Sequence, residues 1–545
     1  MILNYLILVI TIFSFLGYSI FLKKFVFYSK NNYDYIYDYD IFFGFISIFI
    51  IAFLFNIFLP LIYFTELFFL IGLILFFYFK KKIKLDGNIS VFLLILLTTV
   101  FITYNTQTIY DSNLYHIQIL NWNSFYKLNF GLANLEIRFG TNSFWQLVLS
   151  IFNNPKYDVQ LLYLLNCVPI SILISQFYFS EAKENKLSFI YIFCCLNFIL
   201  IFSIIHPVSN GLILNSIRSP EVDTVAMFFF IFSVYFFIKY FEDFNYSDYI
   251  YCFIFSCLAT ITKISHIGVL LLPIVLFFSA KKKISRIFLI CFILFFIWLI
   301  KSFILSGCWL FPVSFTCYPN FIWSTPIEEI QLISDIVSSY PRAHSANESF
   351  MNFDYTIYSF KWFYPWLKTY FFATGFFIIF LFVIITSLII LIFSYSKRDK
   401  IFYKEKLFYI FAIFYLLNLY IWFNAPELRF GYGLFISLSC LFFSYSFKTL
   451  IDKFKLMKKF KFLPILFIFI LISQNYKNIY SLKEVNKIKF DNSNITLFKK
   501  VNEIDFYKSD SNHGFCNDFK LPCIIYPKEF NIKRAFGYYF FFIKQ

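Results

Sequence analysis

Apolar runs of membrane-crossing length follow one another along almost the whole chain, separated by short basic segments. The runs fall at about 2–21, 41–60, 61–79, 89–104, 158–179, 187–205, 223–241, 248–263, 266–280, 285–305, 366–394, 407–424, 430–447 and 462–475. A helix needs roughly 20 apolar residues to cross the hydrocarbon of a bilayer, and only helices or closed barrels satisfy their backbone there. This pattern predicts an all-α membrane protein, a polytopic helical bundle of about 12–14 transmembrane helices. Composition agrees: 60% of the 545 residues are hydrophobic, only 14% are charged, and the mean hydropathy is +0.71. That leaves too little polar surface to cover a water-soluble fold of this size. The first run begins at Met1 with neither a basic leader nor a small-residue cleavage site, so it reads as a retained first helix. The 248–280 pair also reads as a broken hairpin.

The formal net charge of +16 has the sign of a nucleic-acid binder, but its distribution argues against that partner. Basic clusters follow alternate runs: Lys23, Lys24 and Lys30; Lys80, Lys81, Lys82 and Lys84; Lys183 and Lys186; Lys281, Lys282, Lys283 and Arg286; Lys397, Arg398, Lys400, Lys404 and Lys406; and Lys453, Lys455, Lys458, Lys459 and Lys461. The positive-inside rule puts all of them on the cytoplasmic side of the membrane. The opposite, outer face then receives the loops 105–157, 206–222 and 306–365, with residues 476–545 as a small non-cytoplasmic tail after the bundle at 1–475. Cys167, Cys194, Cys195, Cys252, Cys257, Cys291 and Cys440 lie in apolar runs and read as small hydrophobes. Cys308, Cys317, Cys516 and Cys523 lie outside them; Cys516 and Cys523 are either a disulfide formed in an oxidising outer compartment or free thiols.

Polar chemistry gathers in the outer loops. Asp111 opens the first, followed by His116, Asn134, Glu136, Arg138 and Asn142. A carboxylate at the lipid–water boundary is partly desolvated, which raises its basicity and suits a general base; the competing reading is a helix N-cap. His116 is either a packed interfacial side chain or a ligand. Arg218, Glu221 and Asp223 stand at the start of the run at 223–241, where the two carboxylates either complement the helix dipole or hold a metal or a sugar hydroxyl. Lys263 and His266 sit at an outer turn, against the positive-inside pattern, so Lys263 either snorkels or binds an anion such as a lipid phosphate. Arg429, in Asn424-Ala425-Pro426-Glu427-Leu428-Arg429-Phe430-Gly431, either snorkels or aims its fork at a phosphate or carboxylate. Trp309, Trp323 and Trp362 in the third outer loop either stack on sugars or form an aromatic belt.

Several of these blocks resemble the GT-C superfamily of integral-membrane glycosyltransferases, which use polyprenyl-phosphate-linked sugars. More narrowly they resemble a little-characterised bacterial family of GT-C-like membrane proteins. The resemblance is carried by Asp111…Tyr115-His116, Gly131-Leu132-Ala133-Asn134-Leu135…Arg138-Phe139-Gly140-Thr141-Asn142-Ser143, Ser219-Pro220-Glu221-Val222-Asp223, Lys263, Gly307…Pro312, Ala425-Pro426-Glu427-Leu428-Arg429-Phe430, and Cys516…Leu521-Pro522-Cys523. It implies a helical bundle with a catalytic first outer loop and Asp111 as the catalytic carboxylate, the base that accepts a proton from the acceptor hydroxyl or amine. His116, Asn134, Arg138, Asn142, Arg218, Glu221, Asp223, Lys263 and Arg429 become substrate-binding candidates, the phosphate falling to Lys263, Arg218 and Arg429 on the charge argument. The implied reaction is inverting hexosyl or pentosyl transfer from a lipid-linked donor to an outer-face acceptor, a cell-surface glycan, lipid or protein. The cofactor is unknown: a divalent metal fits the superfamily, but Asp111 is followed by Ser112 and Asn113, so a paired-acid motif does not indicate one. Rival expectations are a transporter or flippase of lipid-linked glycans and a glycan polymerase. A transporter buries ionisable groups at mid-membrane, and the runs read as almost free of charge.

Overall fold

A computed structural model describes residues 2–27, 35–80, 84–85, 88–103, 111–154, 156, 164–179, 217, 219–279, 286–344, 346–369, 383–386, 389, 405–454, 495–501, 504–509, 516, 522–524 and 530–543. The predicted runs at 187–205 and 462–475, and most of 366–394, lie outside the described residues, as does Arg218.

Helices α1 (Ile2–Val26), α2 (Ile41–Phe58), α3 (Thr65–Lys80) and α4 (Asn88–Thr103) follow the first four runs closely. They are apolar around their whole circumference, which marks helices covered on every side by protein or lipid. Their ends are set by local chemistry. Asp38 and Asp40 precede α2, and Pro60, which has no N–H to donate, follows it. α1 and α3 touch backbone to backbone where Gly17 faces Gly72; a Cβ at either would collide with its neighbour. Small residues are how apolar helices gain contact when water supplies no drive between them.

The first loop folds back into the bundle. Within it α5 (Ile117–Phe125) and α6 (Phe144–Ser150) are buried, and Asn56 of α2 ties the loop down through Nδ2 to the Asn123 carbonyl at 3.0 Å. Helix α7 (Cys167–Phe179) precedes a tight hairpin of α8 (Asp223–Asp243) and α9 (Tyr246–Thr262). Phe244 turns the corner in the left-handed region (φ 50°), and Asn245 caps α9 by accepting from the Ser247 N–H at 3.2 Å. After a 3-10 turn at Ile264–Leu270 come α10 (Leu271–Ser279) and α11 (Arg286–Ser306). The third outer loop contains an amphipathic helix, α12 (Ile327–His344), which its mixed polarity hid from a search for apolar runs. After two single-turn helices at Phe353–Thr356 and Phe363–Trp366 come α13 (Glu405–Asn424) and α14 (Leu428–Phe454).

Five described stretches are helical, long and apolar enough to cross a membrane: Leu3–Val26, Asp38–Phe58, Leu61–Lys80, Asp223–Glu242 and Arg286–Ser306. Their burial differs in a way that orders the bundle. The Asp223–Glu242 helix is 89% buried over its most apolar stretch, and the Leu61–Lys80 helix only 28%. α8 is therefore the enclosed centre and α3 a peripheral helix.

The tail, which carries no sustained strand pattern of alternating polarity, nevertheless forms short strands. β1 (Ile495–Val501) pairs antiparallel with β2 (Ile504–Ser509), which pairs parallel with β3 (Cys523–Ile524). β4 (Asn531–Ala535) and β5 (Tyr538–Phe542) form a hairpin whose corner residues, Phe536 and Gly537, both have positive φ, as a tight two-residue turn requires. β5 reaches the first loop: Phe540 bridges Phe130, and the Asn134 amide donates to the Phe541 carbonyl at 2.9 Å. Disulfides join Cys516 to Cys523 and Cys308 to Cys317.

Candidate functional site

The chain around Asp111 is wound more loosely than an α-helix. Ser112–His116 forms a π-helical turn that runs directly into α5. Such turns are rare and frequent at functional sites. Five residues apart, Asp111 and His116 would not share an α-helical face; the wider turn brings them into electrostatic contact. Asp111 makes no capping hydrogen bond, so the N-cap reading fails. Its carboxylate turns instead to Arg429, 318 residues later, at 2.5 Å.

Arg429 sits in the first turn of α14 and gathers the other acids. Its Nη1 lies 3.3 Å from Glu221 Oε1, and its Nε 3.6 Å from Asp223 Oδ2. Asp223 opens α8, and Lys263, just past the end of α9, pairs with its other carboxylate oxygen. The Lys263 ammonium also lies over the Phe430 ring, 3.6 Å from its centroid. A hydrogen bond between Ser112 and Ser219 joins the first polar loop to the second. The start of α8, the end of α9, the start of α14 and the entry to α5 thus converge at one end of the bundle.

The electrostatics follow from this packing. Burial pulls the Asp111 carboxyl upward, but Arg429 and His116 outweigh it, leaving Asp111 below the usual carboxylate range. The expectation that desolvation makes Asp111 unusually basic is thereby corrected: the ion pair wins over burial. Glu221 behaves oppositely. Burial, and then the neighbouring Asp223 charge, hold it well above the usual range. With Glu221 protonated, Asp111 and Asp223 balance Lys263 and Arg429. Burial lowers His116 to about 4, so its imidazole is neutral at neutral pH, and among the described residues its buried Nδ1 has no hydrogen-bond partner. Exposure separates the members: the side chains of Arg429 and Asp111 are 32% and 19% exposed, those of Glu221 and Asp223 only 5% and 6%. A solute would meet Arg429 and Asp111 first.

The remaining predicted residues lie elsewhere or do other work. Asn142 donates to the Trp298 carbonyl at 2.6 Å and its own carbonyl accepts from Trp298 Nε1 at 3.0 Å, which ties the first loop to α11. Asn134 donates to the Trp323 and Phe541 carbonyls, both at 2.9 Å, beneath Gly131, whose left-handed backbone (φ 72°) lies too close to both segments for a side chain. Arg138 pairs with Glu136 at 3.2 Å and lies over the Tyr115 ring. His266 is buried near Lys263, its ring 5.5 Å from that of Phe230. Among the described residues no group of three or more His, Cys, Asp or Glu side chains is arranged to hold a metal ion.

With this geometry in view, comparison with known proteins gives one match. A family model described as a domain of unknown function, DUF8201, matches residues 1–436. The chain belongs to that family. No curated protein and no solved structure matches it. The matched region includes Asp111, Glu221, Asp223, Lys263 and Arg429, and excludes the tail strands.

Two charged groups escaped the sequence reading. Lys23 was taken for a cytoplasmic flank, but it lies inside α1, buried, with its ammonium 2.6 Å from Asp40 at the head of α2. Tyr251 donates to the same carboxylate, as does the Tyr37 N–H at 2.8 Å. Lys301 lies inside α11 and is equally buried. Lys301 stands within the predicted run 285–305 and Lys23 two residues past the run 2–21, so the apolar helices carry more charge than the runs suggest. Their signal was present in the sequence: a charge within an apolar helix needs a partner or a purpose.

Proposed function

We propose that this chain is a polytopic membrane enzyme, a GT-C-like glycosyltransferase of about 12–14 transmembrane helices in the bacterial cytoplasmic membrane. It moves a sugar from a polyprenyl-phosphate donor to an acceptor on the outer face. The observation that carries this reading is the ion pair of Asp111 with Arg429, half open at one end of the bundle and backed by buried Glu221, Asp223 and Lys263. It offers an ionised carboxylate beside a guanidinium, the two charges that sugar transfer from a phosphate calls for.

The acceptor hydroxyl gives its proton to Asp111 as its oxygen bonds to the anomeric carbon. The bond from that carbon to the phosphate oxygen breaks, and its electron pair leaves with the phosphate. Arg429 and Lys263 stabilise the charge that develops there. When Arg429 turns to the donor phosphate it leaves Asp111, whose basicity then rises toward what burial alone dictates. Glu221, holding its proton, lets Arg429 make this exchange without leaving three bare carboxylates behind. Attack from the face opposite the leaving group inverts the anomeric centre.

A second reading, translocation of lipid-linked glycans, draws support from the charges buried within apolar helices, Lys23 with Asp40 and Lys301. One assay separates the two. Membranes carrying wild type or Asp111→Asn at matched levels are given labelled polyprenyl-phosphate sugars, and both transferred and translocated label are followed. The enzyme reading expects transfer by the wild type alone. Equal transfer by the variant removes Asp111 from the chemistry, and translocation without transfer by either protein sinks the enzyme reading.

A further inference from the structure

Lys301 is 3% exposed, five residues before the end of α11, and the Gly131 N–H bonded to the Ile304 carbonyl at 2.9 Å places that end against the first loop. No described carboxylate lies within ion-pairing distance of its ammonium. It faces a small cavity between α11 and the first loop, lined also by Trp122 and Ser143. These two side chains are 4% and 5% exposed, and Trp122 Nε1 and Ser143 Oγ are both buried with no hydrogen-bond partner. An ammonium and an indole N–H only donate, and a hydroxyl does so readily. Three donors with no hydrogen-bond partner among the described residues therefore line one space, together with the Asn123 and Gln146 amides, whose N–H groups can also donate to an anion. The complementary occupant accepts from all of them and carries negative charge.

Size narrows the choice. The cavity leaves about 10 Å³ for the centre of a water-sized group, and exposed Thr141 forms its lip. That is room for about one such group, too little for a sulfate, a phosphate or a carboxylate-bearing sugar. A water molecule would accept from the donors but leave the buried ammonium without countercharge. We propose that a single-atom inorganic anion, chloride under ordinary conditions, binds between Lys301, Trp122 and Ser143. The anion pins the first loop to α11 from below, and this inference does not depend on the glycosyl-transfer reading.

The test uses the full chain purified in detergent, with unfolding temperature followed as chloride replaces gluconate at constant ionic strength, and with bromide and sulfate in parallel. Chloride and bromide should raise the unfolding temperature saturably and sulfate should not. Lys301→Met should abolish the saturable rise, and Trp122→Phe should raise the half-saturating concentration several-fold. A wild type without a saturable chloride response overturns the proposal and leaves the cavity to water. A response that persists in Lys301→Met moves the anion elsewhere, and equal stabilisation by sulfate refutes the size assignment. Should Lys301→Met fail to fold, equilibrium dialysis of radioactive chloride against the wild type decides: about one saturable ion per chain supports the site, and none refutes it.

Discussion

Among the described residues, two ion-paired groups with buried charge lie toward opposite ends of α9. Tyr251, near the start of that helix, belongs to the group of Lys23 and Asp40; Lys263, twelve residues later, belongs to the group of Asp223, Arg429 and Asp111. At the 1.5 Å rise of a helix the two stand about 18 Å apart. They differ in closure. The Lys23 and Asp40 side chains are 2% and 0% exposed, and Asp40 accepts from Lys23, Tyr251 and the Tyr37 N–H. That group is sealed and its charges are answered. In the other, Arg429 shares its fork among three carboxylates at unequal distances and remains reachable, while His116 Nδ1 has no partner. A sealed pair holds helices together; an open and over-committed guanidinium has somewhere else to go. The difference teaches that buried charge alone does not mark a site, whereas incomplete satisfaction beside an opening does.

The largest expected effect tests the sealed end. Lys23→Met leaves Asp40 charged and enclosed, and breaking such a pair costs about 3–5 kcal/mol. The variant should unfold at markedly lower temperature in detergent, and Lys23→Met with Asp40→Asn should recover much of the loss. If the single variant is as stable as wild type, the contrast between the ends fails.

At the open end the effect should appear in turnover rather than in folding. Arg429→Ala should lower sugar transfer by about 100- to 1000-fold, the usual loss when one donor to a developing charge is removed. Its unfolding temperature should move far less than that of Lys23→Met. A large loss of stability with normal transfer per folded molecule would make Arg429 a structural residue.

A smaller effect concerns acid. Burial holds His116 at about 4, against an ordinary 6.5. As pH falls through about 6.5 the unfolded chain takes up this proton and the folded chain does not. Stability from this group is thus complete above about 6.5 and is lost progressively down to about 4. His116→Phe should flatten the dependence in that window, by up to about 3 kcal/mol, as read from unfolding curves across pH. The smallest effect belongs to Glu221→Gln. A carboxyl that already holds its proton resembles an amide, so stability should change by less than about 1 kcal/mol. A larger change would show that Glu221 is ionised in the folded protein.

Much of the bundle was legible in the sequence because apolar length is a local property. The ends of α2, α8 and α11 fell within a few residues of the predicted runs for that reason. The members of the open group were legible singly, since Asp111, Glu221, Asp223, Lys263 and Arg429 are each a charge at the edge of an apolar run. What could not be read was their common destination. The partnership of Asp111 with Arg429 spans 318 residues, and nothing local announces it. Lys23 was misread because a lysine at the end of an apolar run looks the same whether it faces water or Asp40. The tail strands were missed because they are short and half-buried, and β4 and β5 make a hairpin whose turn residues, Phe536 and Gly537, carry only one strong cue.

The contact between β5 and the first loop also sets an order of events. Asn134 and Phe541 are 407 positions apart, and Gly131 is shaped to receive that strand. On a ribosome the loop that carries Asp111 emerges early, yet its support is translated more than 400 residues later. The first loop therefore waits for a strand far downstream, and a product cut short before β5 would lack the partner that Asn134 and Gly131 receive.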